Sequence, residues 1–296
     1  MSTSIASLRR QMASAGDLQS VVRTMKALAA ASVGQYERSV SALAEYYRIV
    51  ELGLAVCFRE RKLPMPRERQ NARAGAVDIG AIVFGSDQGL VGQFNDVVTD
   101  HTIETLAALG GKHQVWAVGE RAHERLARAG LPMAGLFAVP TSVEAIASLV
   151  GQIQIASEAY RARGEYSEVY VFYNRTQGRA LYAPVHLRLL PLDSKWQEGV
   201  AKVHWPTGAL PEVIGRDFST LRALIREYLF ISLFRACAES LASENTSRLA
   251  AMERADKNIT DLLAHLNETF HRLRQSGIDE ELFDVIAGFE ALIGVQ

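Results

Sequence analysis

Between about Arg216 and Gln296 the hydrophobic positions follow one rule. From Asn245 a seam runs through Leu249, Met252, Asp256, Ile259, Leu263, Leu266, Phe270 and Leu273, in alternating steps of four and three. That is the a/d seam of a coiled coil, narrower than the stripe of an ordinary surface helix. No proline interrupts the stretch. One helix of that length would extend about 120 Å, too long for the interior of a compact domain, so it needs a partner.

Residues 4 to 60 supply one. Their seam is Leu18, Val22, Met25, Ala29, Ser32 and Tyr36, then Val40, Leu43, Tyr47, Val50, Leu54 and Cys57. The step from Tyr36 to Val40 inserts a stutter, which locally unwinds a supercoil. Between Ala27 and Gly34 nearly every side chain is small, so a partner backbone can approach closely there. Gly16-Asp17 weakens the first turns, since a helical Gly costs about 1 kcal/mol against Ala. The pattern alone is also that of a plain antiparallel pair inside a bundle.

The stretch from Lys62 to Gly75 is polar, Arg-rich and contains two prolines, and reads as a linker. The middle, about Gly75 to Leu192, changes period. Asp78 to Gly85 and Gln114 to Val118 are strands of the buried type, with a third from Met133 to Val139. Helices are expected over Asp96–Leu109, ended by Gly110-Gly111, and over Glu120–Ala129, closed by Gly130. A further helix, capped by Thr141 or Ser142 with Glu144 in its first turn, runs to about Arg163. Glu168–Asn174 and Ala183–Leu190 are two more strands, joined by a hairpin-like loop that implies an antiparallel edge. Strand and helix in alternation imply a parallel, Rossmann-like sheet. Pro191 to Pro211, with Trp196 and Trp205, reads as a connector lying against something.

The fold class is therefore α/β: a long antiparallel two-helix coiled coil with an α/β domain inserted between its arms. The expected segments are 1–62 (N-terminal coiled-coil helix), 75–192 (α/β domain) and 212–296 (C-terminal coiled-coil helix). If Phe58 lies beside Val213 at the root, Met1 stands level with about Phe270, and ~26 residues project beyond the pair. That tip carries Leu282, Phe283, Val285, Ile286, Phe289, Leu292, Ile293 and Val295, apolar nearly all round. Such a helix is normally enclosed, so something outside the pair must cover it. Gly277 and Asp279 read locally as a helix stop and a fresh N-cap, against continuation of the seam.

Charge and cysteine usage narrow the classes. Net charge is −1 with a pI near 6.7, which argues against a dedicated nucleic-acid binder. Cys57 and Cys237 fall about 30 Å apart along the coil by the same level matching, too far for a disulfide, and a reducing compartment suits them. No apolar run reaches the ~18 residues of a membrane span, and the first residues lack the apolar core of a signal peptide.

Candidate chemistry is sparse. Gly85-Ser-Asp-Gln-Gly-Leu-Val-Gly-Gln-Phe-Asn95 joins a strand to a helix, where a phosphate loop would sit. Its glycines at 85, 89 and 92 fit neither a dinucleotide fingerprint nor a Walker loop, so a tight turn that needs glycine for packing is the alternative. The seven histidines have no metal spacing, and Asp78, Asp87 and Asp96 are too loosely related for an acid/base pair. No catalytic residue, cofactor or metal is expected. Asn245 and Asp256 on the seam cost stability and could set register.

Three stretches together resemble the gamma subunit of F-type rotary ATP synthases, over essentially the full length. The family's N-terminal pattern T-x-A-M-x-x-V-A-A-x-K is matched by Val22-Arg-Thr-Met-Lys-Ala-Leu-Ala-Ala-Ala-Ser32 in its methionine and alanines, not in its first threonine or last lysine. The pattern S-T-D-[RK]-G-L-C-G-x-x-N is met at Asp87, Gly89, Leu90, Gly92 and Asn95, without the basic residue and the cysteine. The C-terminal signature, in the stretch from Glu239, is met at Ser243, Glu244, Arg248, Met252, Ala255 and Asn258. It continues through Arg274-Gln275 to Gly288, with Asp279 in place of a threonine. These departures point to a divergent bacterial-type member.

The resemblance implies a central rotor shaft coupling an ion-driven ring to ATP synthesis or hydrolysis in a hexamer of alpha and beta subunits. The α/β domain would form a foot beside the epsilon subunit on the membrane rotor ring. It implies one copy per complex, at the cytoplasmic face of a bacterial inner membrane. Met25, Arg248, Arg274 and Gln275 would meet beta subunits, and Leu282, Val285, Ile286, Phe289 and Leu292 would form a hydrophobic bearing. The rival readings are a coiled-coil adaptor without motor function and an enzyme holding a nucleotide at the Gly85–Gly92 loop.

Overall fold

The computed structural model describes residues 4–60, 78–162, 168–177, 182–192, 194–209, 211–213 and 218–293. The linker expected between Lys62 and Gly75 and part of the 174–182 loop lie outside them. Six helices and five strands occur among the described residues. They are α1 (Ile5–Glu60), β1 (Ile79–Phe84), α2 (Phe94–Leu109), β2 (His113–Val118), α3 (Glu120–Arg128), β3 (Met133–Phe137), α4 (Val143–Ala162), β4 (Glu168–Thr176), β5 (Tyr182–Leu190), α5 (Ser194–Ala201) and α6 (Ser219–Ile293). Two compact units result: residues 29–248, and residues 1–28 with 249–296.

The larger unit is built on one sheet of order β3-β2-β1-β4-β5. β1 pairs in parallel with β2 and β4, β2 with β3, and only β5 is antiparallel. The expected parallel sheet with an antiparallel edge is the one that forms. The strands read as continuous apolar runs because both faces are covered. Alternation then sorts them. Ile82, Phe84, Trp116, Val118, Val171 and Tyr173 point to one side, where α4, Tyr36 and the Leu233–Ala242 part of α6 pack on them. Ile79, Ala81, Val83, Val115, Ala117 and Phe172 point to the other, against Val98 and Leu106 of α2 and Leu126 of α3.

Helix ends match their local chemistry. Gly110 and Gly130 carry φ of 70° and 82° after α2 and α3, a conformation open to glycine at little cost. Ser142 is the α4 cap: its Oγ accepts from the Ala145 N–H at 3.3 Å. The Glu144 carboxyl in that first turn sits below its ordinary pKa through bonds to its own backbone N–H and to Ser142.

The Pro191–Pro211 connector is not simply extended. It contains α5, whose Trp196 stacks edge-on against Phe58 and Tyr228 and donates its indole N–H to the Tyr228 hydroxyl at 2.9 Å. Val200 of α5 joins Val50, Leu54, Tyr228 and Ile231 in a third apolar cluster. In this unit the α1 and α6 segments run antiparallel: Tyr46 donates to Glu227 at 2.8 Å, and a Cβ on Gly53 would lie 3.2 Å from Leu224.

The smaller unit is an antiparallel helix pair. Ala15 and Val22 pack on Met252 and Ile259, with Met25, Ala251, Ala255 and Leu263 around them. The Arg9 guanidinium lies over the Phe270 ring, 5.4 Å from its centroid. Level matching put Met1 there instead, so the true pairing is displaced by about two turns of α1. Leu18 is a second correction: it is 54% exposed, while Leu8 and Ala15 are buried. Counting back from Val22 by seven rather than four finds them. Half-buried Gln19 takes the inward place instead and donates to Asp256 across the seam, while Arg23 reaches the same carboxylate from an exposed position. Gly16 and Gly277 are both passed in α-helix, so neither stops its element.

Candidate functional site

Two of the motif stretches meet within the larger unit. The turn from Gly85 to Asn95 leaves β1 at a point where no side chain fits at Gly85. A Cβ there would lie 2.4 Å from that of Ala122 and 2.9 Å from Asn95 Oδ1. Ser86 is fully buried. Its N–H donates to Asn95 Oδ1 at 3.0 Å, its Oγ accepts from Asn95 Nδ2 at 2.8 Å, and that Oγ donates to the Gln88 carbonyl at 2.8 Å. Leu90 and Gly92 adopt φ of 62° and 57° to complete the turn, whereas Gly89 has open space about its Cβ position.

Asp87 reaches across strand ends. Its carboxylate accepts from the N–H of Glu120, at the start of α3, at 3.1 Å and from that of Val139 at 2.9 Å. The N–H groups of Ser86, Glu120 and Val139 are thus taken by Asn95 and Asp87. The turn holds itself and two neighbouring segments, the packing role weighed above. Asp96 has a different task, an ion pair with Arg125, which also binds Asp100 at 2.9 Å.

α6 closes over this turn with its polar motif face. Ser247 Oγ donates to the Val91 carbonyl. Asn174 of β4 donates to the Phe94 carbonyl at 2.8 Å, and Ser243 Oγ donates to the Asn174 carbonyl at 3.1 Å while contacting Thr176 Oγ1 at 2.9 Å. Glu239, nearly buried, accepts from Arg175 Nε at 2.7 Å and Arg235 Nε at 2.8 Å. Turn, strand and helix are thereby locked by side chains spaced four apart on one face of α6. The motif matches at Ser243 and Glu244 marked this face, but its partners Asn174, Arg175 and Thr176 were invisible without the fold. The Arg235–Glu239 spacing was the available hint.

One turn further, Arg248 donates to Glu244 at 2.7 Å and to Asn245 Oδ1 at 3.5 Å, and Asn245 Nδ2 donates to the Leu241 carbonyl at 2.9 Å. Asn245 thus bonds along its own helix. Burial pushes the Glu244 carboxyl above the usual range, against the pull of Arg248. Among the described residues Glu244 Oε2, Arg248 Nε, Ser240 Oγ and Asn174 Oδ1 are buried without hydrogen-bond partners.

In the smaller unit Asp256 is the polar interruption of the seam. It accepts from Arg23 Nε and Gln19 Nε2, both at 3.2 Å, and Gln19 also donates to Thr260 at 2.9 Å. Lys26 and Glu253 pair at 3.7 Å. Met25 is half-buried beside this seam. Arg274 and Gln275 are exposed, as are Leu282, Phe283, Val285 and Ile286. Phe289 and Leu292 belong to α6, but their side chains lie outside the description.

Sequence reading also missed His101 and His186, whose ring nitrogens approach to 3.0 Å over the Phe172 ring. Among the described residues no three His, Cys, Asp or Glu side chains are grouped to hold a metal ion, and no helix is long and apolar enough to cross a membrane.

A family model described as ATP synthase matches residues 4–292. The ATP synthase gamma chain of Pelotomaculum thermopropionicum is 26% identical over 98% of this chain and 99% of its own length. That of Desulforudis audaxviator is 29% identical, over 96% and 97%. Among solved structures, a chain of the Euglena gracilis mitochondrial ATP synthase (OSCP/F1/c-ring) has a TM-score of 0.61 at 15% identity, covering 97% of this chain and 94% of that one. A chain of the Tetrahymena thermophila mitochondrial ATP synthase central stalk and c-ring has a TM-score of 0.54 at 20% identity, covering 79% and 99%. The structural likenesses bear on the fold.

Proposed function

Because the chain belongs to the ATP synthase gamma-chain family, we propose that it is the central rotor shaft of an F-type ATP synthase. The observation that carries this reading is the family match over residues 4–292, which takes in α1, the sheet and α6 together. In this reading residues 1–62 and 212–296 are the coiled-coil arms and 75–192 the foot. The arms turn inside a hexamer of alpha and beta subunits, one copy per complex. The foot stands on the membrane rotor ring beside epsilon, so the chain is held peripherally at the cytoplasmic face of the bacterial inner membrane. ATP chemistry takes place on the hexamer and none in this chain.

The geometry supports a mechanical task. Torque must pass between the sheet and α6 without slippage. The Asn174–Ser243 and Arg175–Glu239 bonds join β4 to α6, and the Val91–Ser247 bond joins the turn after β1 to it. Exposed Arg274 and Gln275 are free to meet a beta-subunit loop, and Met25 and Arg248 are assigned to beta contacts nearer the foot. The exposed Leu282, Val285 and Ile286, with Phe289 and Leu292, form the bearing.

The test is single-molecule rotation. The chain is assembled with its alpha and beta subunits and labelled with a bead on a cysteine at exposed Lys112. ATP should drive rotation in one direction. An alpha–beta complex that hydrolyses ATP while this chain stays still, or that forms without it, defeats the proposal.

A further inference from the structure

A cavity of about 250 Å³ opens in the larger unit between α4, the first turns of α6 and the sheet. We propose that it binds a single-chain amphipathic carboxylate, a medium-chain fatty acid, with the tail in the cavity and the carboxylate at Arg222 and Arg226.

The floor is made by Ile82, Val169, Leu189 and Leu233, all buried and all members of the cluster on that face of the sheet. The cavity is therefore a gap where that core stops short of filling its space. An apolar chain entering it gains dispersion contacts along these apolar walls.

Charge at the mouth selects the head group. Arg222 and Arg226 lie one turn apart on the same face of α6, both exposed, and neither forms an ion pair among the described residues. Two guanidinium forks at that spacing suit a carboxylate, which each can bind through paired N–H donors. Glu158 on α4 shares the rim, so among the described residues the lining carries a net single positive charge. That balance favours a monoanion over a phosphate dianion. Gln154 beside it supplies a further neutral donor.

Size selects the tail. Pockets for drug-sized ligands span about 300–1,000 Å³, and this one lies just below that range. One medium-length chain fits; a two-tailed lipid does not.

The test titrates the full-length folded chain with dodecanoate, below its micelle threshold, by calorimetry. Saturable binding at one site is expected. The Arg222→Gln/Arg226→Gln variant, altered only at exposed positions, should bind at least tenfold more weakly with an unchanged circular dichroism spectrum. Dodecanol, with the same tail and no charge, should also bind at least tenfold more weakly. Leu229→Phe, which fills the cavity from α6, should abolish binding. Absence of saturable binding to the wild-type chain overturns the proposal, as does equal affinity in the arginine variant or for dodecanol. If dodecanoate fails to bind while Leu229→Phe weakens assembly with the alpha and beta subunits, the cavity is a seat for protein and the proposal is likewise overturned.

Discussion

Gly119 and Gly130 both have positive φ, yet they should respond differently to a methyl group. At Gly119, with φ of 104°, a Cβ would lie 2.7 Å from the Ser86 backbone, which cannot move aside. Gly119→Ala should cost about 3 kcal/mol, combining a disfavoured backbone region with overpacking. At Gly130 nothing lies within 4 Å, so Gly130→Ala should cost only about 1 kcal/mol of backbone strain. Urea unfolding of the two variants reads the difference; equal losses would mean the 85–95 turn does not press on Gly119. Cys237 makes a second case. It is buried, and burial, with a further contribution from Glu244, pushes its thiol far above the ordinary range. The thiolate is the reactive form, so at pH 8 iodoacetamide should label Cys237 no faster than the chain unfolds, followed by peptide mass spectrometry. Labelling at the rate of a free thiol would contradict this. At this scale the sequence showed which turn residues matter, through Asp87 and Asn95, but not why. The reasons are contacts with Glu120, Val139 and Ser86, residues that only the fold brings into reach.

Between elements, polar contacts decide register and pH response. His101 on α2 and His186 on β5 share a hydrogen bond, and His101 sits below its ordinary pKa. Burial is the main cause and His186 the second, with Glu104 pulling the other way. A histidine with a lowered folded pKa holds fewer protons folded than unfolded near pH 6.5. The stability it contributes is therefore complete above about pH 6.5 and lost as pH falls toward the folded value. His101→Gln, which cannot protonate, should flatten the plot of unfolding free energy against pH between 7 and 5. An unchanged slope would remove the pair from the pH response. Asp256 acts on register. Leu in its place should gain about 1–2 kcal/mol of apolar burial and lose up to about 1 kcal/mol of partly exposed ion pairing. Asp256→Leu should thus raise Tm slightly but loosen alignment. A short bis-maleimide should join cysteines at Lys26 and Glu253 alone in the parent pair. In Asp256→Leu it should also join cysteines at Lys26 and Lys257. The long helices and all five strands were legible, because periods of seven, 3.6 and two differ plainly. Leu18 was misread because spacing ranks leucine above glutamine, whereas an acid across the seam reverses that order. α5 was missed because eight residues within a Pro- and Trp-bearing connector carry too little period to see.

For the whole molecule the decisive contrast is between apolar surface that the chain covers and apolar surface that it leaves open. Val22, Met252 and Ile259 are covered within the helix pair. Phe283 and Val285 are 68% and 69% exposed on an element that remains helical through them. Exposed apolar side chains contribute little to the stability of the chain that carries them, so changes there fall within about 0.5 kcal/mol. Enclosed by other subunits, each would contribute about 1.5–3 kcal/mol. Phe283→Ser/Val285→Ser separates the two cases. Urea unfolding of the isolated chain should be unchanged within that small range. Assembly with alpha and beta subunits, followed by titration of the labelled chain into the hexamer, should weaken by at least tenfold. Rotation in complexes that do form should stall more often, because a shaft loose at one end transmits torque unevenly. A loss above about 1 kcal/mol in the isolated chain would mean these residues are packed against the chain itself. Unchanged assembly would mean the tip is solvated in the complex. Only the combination of a silent effect on folding and a large one on assembly fits a surface whose partner lies in other subunits.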